Sequence, residues 1–174
     1  MAPLSSKIVI PKSGFSIKTV LILFSVAGAI LALDQVSKWL ILDYFQTRPR
    51  VIPLAPFLNL VLVFNPGISF GLFNNYNILG PYAFILASVL IVGGLGVWAV
   101  KTVESPTRIL LALIIGGALG NVLDRIRFGA VIDFLDLYSF GYHWPAFNMA
   151  DSAITIGVLG LILNNLFPRA GSGK

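Results

Sequence analysis

The sequence predicts an all-α integral membrane protein: four transmembrane helices, with a small β-sheet cradle and loops on the outer face. Three observations predict it. Hydrophobic residues make up 57% of the 174 residues and charged residues only 11%, against about 25% charged in a soluble domain. Mean hydropathy is +0.90. The apolar residues also gather into four runs near the ~20 residues that a membrane crossing needs. A soluble chain this short still exposes much of its surface and could not hide so much apolar area. The composition therefore excludes a soluble enzyme and a disordered chain. It also excludes a nucleic-acid-binding domain, despite a net charge of +5. There is no cysteine, hence no disulfide, thiolate nucleophile or iron–sulfur site, and a single histidine argues against zinc. No metal and no cofactor is expected, and one domain is expected over residues 1–174.

The first helix is expected over residues 17–42, apolar or small from Thr19 to Leu33. Lys7, Lys12 and Lys18 precede its apolar stretch as in a secretory leader, but no small-x-small cleavage motif ends that stretch, so it reads as a retained helix. Residues 43–78 form an outer segment. Within it, 57–65 alternate with period two: Leu58, Leu60, Leu62 and Phe64 make one wholly apolar face, and Phe57, Asn59, Val61, Val63 and Asn65 the other. That alternation predicts a strand in a small sheet at the outer membrane surface. The second helix is expected over 79–100, followed by a short inner loop at 101–107. The third runs over 108–123, a second outer segment over 128–150, and the fourth helix over 152–167. The tail after Pro168 is polar and expected to fray.

Basic residues set the orientation. With the N-terminus inside, Lys7, Lys12, Lys18, Lys101, Arg108, Arg169 and Lys174 are cytoplasmic. Lys38, Arg48, Arg50, Arg125 and Arg127 are outside. The short inner loop and both tails thus favour cytoplasmic termini. Acids contribute little to topology, yet Asp34, Asp43, Asp124, Asp133, Asp136 and Asp151 all lie at or beyond the outer helix ends, and only Glu104 lies inside.

Ionisable residues in membrane spans are candidates for function. Asp34 and Lys38 stand at i and i+4 and share a helix face, either as a structural ion pair or as support for a site. Gly117, Asn121, Asp124 and Arg125 form one stripe on helix three. The glycines Gly116, Gly117 and Gly120 permit close helix packing, and Asn121, Asp124 and Arg125 form either a buried network or an interfacial collar. Asp133 shares a face with Val131, Leu135 and Leu137, so it is either paired or raised in pKa. Asp136 falls on the other parity and is expected to be solvated. Asp151, after Asn148, is placed to cap helix four or to meet its dipole. Together Asp133 and Asp151 bracket one outer loop near the membrane surface. Two carboxylates sharing a site hold one proton between them, so one can act as base on water while the other donates a proton.

Gly67-Ile-Ser-Phe-Gly71 fits Gly-x-Ser-x-Gly, with Asp133 and His143 following in hydrolase order. The chain is too short, and too occupied by helices, for the parallel sheet that motif requires. Three classes fit the remaining pattern: a membrane enzyme using the aspartates, a transporter or proton-conducting bundle using them as a relay, and a non-catalytic assembly subunit. A relay should continue across the bilayer, whereas the cytoplasmic halves of the helices lack acids.

Five boxes in order give a resemblance. Asp34-Gln-Val-Ser-Lys38, Asn65-Pro-Gly-Ile-Ser-Phe-Gly71, Gly116-Gly-Ala-Leu-Gly-Asn-Val-Leu-Asp-Arg125, Val131-Ile-Asp-Phe134 and Phe147-Asn-Met-Ala-Asp-Ser-Ala153 resemble the motifs of the bacterial lipoprotein signal peptidases, also called signal peptidase II. Ile68 is bulkier than the small residue expected there, and the lead before helix one is long. The resemblance implies an aspartic endopeptidase of the bacterial cytoplasmic membrane, working near its outer face. It would cleave diacylglyceryl-modified prolipoproteins just before the lipidated cysteine. By the match, Asp133 and Asp151 are the catalytic dyad, and Asp34, Lys38, Asn65, Gly67, Asn121, Asp124, Arg125, Asn148 and Ala150 bind substrate or support the dyad. The partners implied are prolipoprotein, membrane lipid and a globomycin-type inhibitor, and a monomer is expected.

Overall fold

The computed structural model describes residues 16–48, 51–67 and 79–167. The expected frayed tail, the N-terminal lysines before Ser16, and Ile68 and Ser69 lie outside them. In chain order the elements are α1 (Ile17–Tyr44), β1 (Val51–Ala55), β2 (Leu58–Asn65), α2 (Leu79–Lys101), α3 (Ser105–Phe128), β3 (Val131–Ser139), β4 (Tyr142–His143) and α4 (Met149–Leu166). All four helices are long and apolar enough to cross a membrane. On α2, Leu86, Leu90, Ile91 and Val97 are exposed, as befits side chains that meet lipid rather than water.

α3 is the central post, packed against α1, α2 and α4. Its small residues let the neighbours approach. A Cβ on Gly117 would meet the backbone of Ala150 on α4, and one on Gly120 would land on the Asp34 carboxylate of α1. Close packing of helix backbones is what small residues at spacings of three and four provide in membranes. Leu23, Ala27, Leu111, Ala112 and Ile115 belong to the apolar core, in the N-terminal halves of α1 and α3.

The helices run past their expected ends. α3 reaches Phe128 rather than 123, ending at Gly129 in the left-handed region (φ 70°), whose N–H donates to Arg125 O. Hydropathy falls at Asn121, but the helical hydrogen bonds do not depend on hydropathy, and the polar side chains there have partners inside the protein. α4 begins at Met149 rather than 152. Asn148 is its N-cap and Asp151 completes a capping box, each side chain accepting from the other residue's backbone N–H. That arrangement satisfies two amide donors left over at the helix start.

The four strands form one antiparallel sheet in the order β1-β2-β3-β4. Between Leu60 and Val63 the β2–β3 register shifts by one residue: Leu60 faces Leu135, but Val63 faces Asp133 and Asn65 faces Val131. The unbroken apolar face expected from Leu58 to Phe64 is therefore split by a bulge. Leu58 and Leu60 share their side of the sheet with Val63 and Asn65, while the buried side over this stretch carries Asn59 and Val61. Without the bulge, Asn65 would point away from the Asp133 face. A one-residue slip flips every side chain beyond it, and re-aiming a side chain beside a site is a known use of bulges.

Candidate active site

The polar residues converge where the C-terminal parts of α1 and α3 and the N-terminal end of α4 meet β3. Lys38 is the hub of the deeper layer. Its ammonium donates to Asp34 Oδ2 at 2.8 Å and to Asn121 Oδ1 at 3.1 Å, and forms an ion pair with Asp124 Oδ2 at 2.7 Å. Lys38, Asp34 and Asp124 are buried. Each carboxylate is also tied to neighbouring elements. Asp34 Oδ1 accepts from the Ala150 N–H at 3.0 Å, and Asp124 Oδ2 accepts from the Ile132 N–H at 3.2 Å. The three charges thus pin α1, α3, the start of α4 and the start of β3 to one another.

Above this layer lie Asp133 and Asp151, and Asn148 joins them. Asn148 Nδ2 donates to Asp133 Oδ1 at 2.8 Å, and its backbone N–H donates to Asp151 Oδ2 at 3.2 Å. Asp133 Oδ2 accepts a second bond from Asn65 Nδ2 at 2.9 Å. Asp151 Oδ1 accepts from Asn121 Nδ2 at 2.8 Å. Because Asn121 Oδ1 accepts from Lys38, its amide orientation is fixed, and its Nδ2 must face Asp151. Asn65 is fixed likewise: its Oδ1 accepts from the Gly67 N–H at 2.9 Å. Gly67 has φ 82°, and a Cβ there would strike the Phe84 ring, so this turn requires glycine.

Burial pushes the Asp133 carboxyl up to about 6, and the Asp151 charge acts in the same direction, against the amides of Asn65 and Asn148. Arg125 lies within electrostatic reach of Asp151, Asp133 and Asp124. Its Nη1 donates to Asn121 O at 3.3 Å, its Nε has no partner among the described residues, and its guanidinium sits 5.4 Å over the Phe84 ring. No group of three or more metal-ligating side chains is found among the described residues.

Comparison with known proteins agrees with this architecture. The profile of the family Signal peptidase (SPase) II matches residues 26–167. The chain belongs to the signal peptidase II family. A lipoprotein signal peptidase of Methylorubrum extorquens (strain PA1) is 46% identical over 143 residues, covering 80% of this chain and 82% of that protein. One from Syntrophus aciditrophicus (strain SB) is 42% identical over 151 residues, covering 84% and 94%. A bacterial membrane enzyme solved by the in meso method at 2.3 Å superposes with a TM-score of 0.73 at 29% identity, covering 93% of this chain and 96% of that one. As a signal peptidase II the chain is a peptidase and a multi-pass membrane protein, and every element that meets the polar cluster falls within the matched residues.

Two features of the site were not legible in the sequence. Gln35 bridges the deeper layer: Nε2 donates to Asp124 Oδ1 at 2.9 Å and to Asp34 Oδ2 at 3.2 Å, and Oε1 accepts from Arg127 at 3.3 Å. It stands inside the Asp34–Lys38 box, but an uncharged residue gives no signal of its own. Asp136, expected in solvent, is instead covered. Asn59 Nδ2 donates to its Oδ2 at 2.9 Å, and His143 Nδ1 lies 2.9 Å from both carboxylate oxygens. The Asn59 amide foremost, and then His143, hold Asp136 below the usual carboxylate range, against a smaller opposing effect of burial. His143 therefore pairs with Asp136 rather than Asp133, which further weakens the serine-hydrolase pattern.

Proposed function

We propose that the chain is an aspartic endopeptidase that frees diacylglyceryl-modified prolipoproteins of their signal peptides by cutting just before the lipidated cysteine, with Asp133 and Asp151 as its dyad. The observation that carries this reading is the shared clamp: one residue, Asn148, bonds both carboxylates. The relatives named above are lipoprotein signal peptidases, which supports the substrate class. The whole chain acts as one membrane-embedded unit in the bacterial cytoplasmic membrane, as a monomer. Its termini are cytoplasmic and its dyad lies near the outer face, as the basic residues favour.

In this mechanism Asp133 carries the shared proton, because burial disfavours its charged form. Asp151, accepting from Asn121 and from the Asn148 N–H, is the base. It takes a proton from water, whose oxygen attacks the scissile carbonyl carbon, while Asp133 protonates the carbonyl oxygen. Asp151 then gives its proton to the nitrogen of the lipidated cysteine, the C–N bond breaks, and a hydroxyl of the tetrahedral diol returns its proton to Asp133 as the new carboxyl group forms. Arg125 supplies donors for the substrate main chain. Asn65, Gly67, Asn121 and Ala150 hold the dyad's geometry, and Asp34, Lys38 and Asp124 anchor it from below. A globomycin-type inhibitor would occupy the same cleft.

The test is cleavage by the purified protein in detergent of one prolipoprotein with and without its diacylglyceryl group. The reading expects a single cut before the lipidated cysteine and none in the unmodified form. Cleavage elsewhere, or equal cleavage of both forms, contradicts it.

The proton on Asp133 predicts the pH profile. The active form has Asp133 protonated, so kcat/KM falls as pH rises through about 6, the free-enzyme value. Bound substrate expels water and disfavours the charge further, so the limb in kcat lies at higher pH. Asn65→Ala removes a bond that favours the carboxylate, which raises the Asp133 pKa and moves the kcat/KM limb to higher pH. A limb that stays in place, or moves to lower pH, contradicts the assignment.

A further inference from the structure

We propose that the cleft between α1, α2 and α3 holds an acyl chain of the substrate's diacylglyceryl group. This rests on the proposed lipoprotein substrate. The cleft has a volume of about 330 Å³ and is almost wholly apolar. Its walls include Gly28 and Leu31 of α1, Val92 and Gly96 of α2, and Ile115 and Leu119 of α3. It lies within membrane-spanning helices, so hydrocarbon rather than water is what can fill it. α2 leans on α3 and hardly meets α1, which leaves the cleft open towards the lipid.

Two observations favour a chain that belongs to the substrate. Unlike Gly117 and Gly120, which let helices touch, Gly28 and Gly96 have nothing within 4 Å of the position a Cβ would take. Glycine weakens a helix interior, and here no packing contact explains it; what these two keep is empty space. The cleft also ends beside the polar cluster. Leu31 is one turn before Asp34, and Leu119 precedes Gly120, which packs on the Asp34 carboxylate. A lipid chain attached to a residue at the dyad would thus enter the cleft from its outer end.

The test combines cleavage with labelling. Gly28→Leu and Gly96→Leu fill the cleft without touching the dyad. Each buried methylene is worth about fourfold in affinity. With two or more methylenes displaced from the cleft, both variants should lose at least about tenfold in kcat/KM on a dipalmitoylglyceryl substrate. On a dibutyrylglyceryl substrate, whose chains stop short of the block, they should match wild type. Equal losses on the two substrates, or none on either, overturn the proposal. Independently, an uncleaved lipopeptide with a diazirine near the end of one acyl chain should label Leu23 or Phe24, which line the part of the cleft farthest along α1 from Asp34. Labelling elsewhere overturns the proposal. So does a diazirine phosphatidylcholine that labels the cleft and is not displaced by excess lipopeptide, which would make the cleft a site for bulk lipid. Labelling of the cleft by a protein that cuts no lipoprotein would keep the acyl-chain site and remove the proposed activity.

Discussion

Asp133→Asn and Asp151→Asn each lose about 10³-fold or more in kcat, since general acid–base catalysis contributes about 10²–10⁴-fold and each residue also serves the other's protonation state. KM for the lipidated substrate should change little, because neither change removes apolar contact. Both variants should purify and elute like wild type: asparagine keeps an acceptor oxygen, so the side chain in Asp151→Asn can still accept from the Asn148 N–H and retain the start of α4. The double variant should fall no further than the slower single variant, as residues acting as one unit are not additive. Either single variant within tenfold of wild-type rate would remove that residue from the chemistry. An assembly subunit or a proton relay offers no reason for peptidase activity that depends on both residues at once.

Lys38→Met is the most damaging change outside the dyad. It removes the ammonium that bonds Asp34, Asp124 and Asn121 together and leaves two carboxylates buried without a counter-charge. Breaking a buried ionic pair from one side costs about 3–5 kcal/mol, a large part of the ~5–15 kcal/mol that holds a protein folded. The expected result is a fall in Tm of about 10 °C or more, read by thermal unfolding in detergent, with activity lost in parallel. Adding Asp34→Asn to Lys38→Met restores the net charge of the buried group and should recover part of the loss, the signature of coupled sites. A Lys38→Met protein that melts within a few degrees of wild type would show that the cluster is solvated in membrane or detergent.

The helices were legible because lipid demands long apolar runs, and each of the four lies where its run lies. Their polar ends were not, because Asn121, Asp124, Asp151 and Asn148 satisfy backbone and side-chain groups that hydropathy does not see. The charged residues of the cluster stood out by chemistry alone, since Asp34, Lys38, Asp124 and Asp133 are costly to bury. That Asn148 reaches both Asp133 and Asp151 depends on the capping box of α4 meeting β3, a tertiary fact. The β2 bulge was hidden for a similar reason. Strand alternation fixes which residues share a face only while the register is unbroken, and the register depends on β3, far along the chain. So Leu58 to Phe64 looked like one face, and the turn of Asn65 onto Asp133 had no local signature. Asp136 shows the converse, since its parity pointed to solvent while Asn59 and His143 from neighbouring strands cover it.

The proposed mechanism requires a single proton held between Asp133 and Asp151. Its most direct test is a pH titration of the aspartate side-chain carboxyl carbons by 13C NMR in the detergent-solubilised protein. Spectra of Asp133→Asn and Asp151→Asn would assign the signals. The mechanism predicts a signal absent from Asp133→Asn that titrates with a midpoint at about 6. That midpoint should drop in Asp151→Asn, because the neighbouring negative charge is one of the causes that raise it. An Asp133 carboxyl already ionised well below this midpoint, or one whose midpoint ignores the loss of Asp151, would contradict a shared proton and the dyad with it.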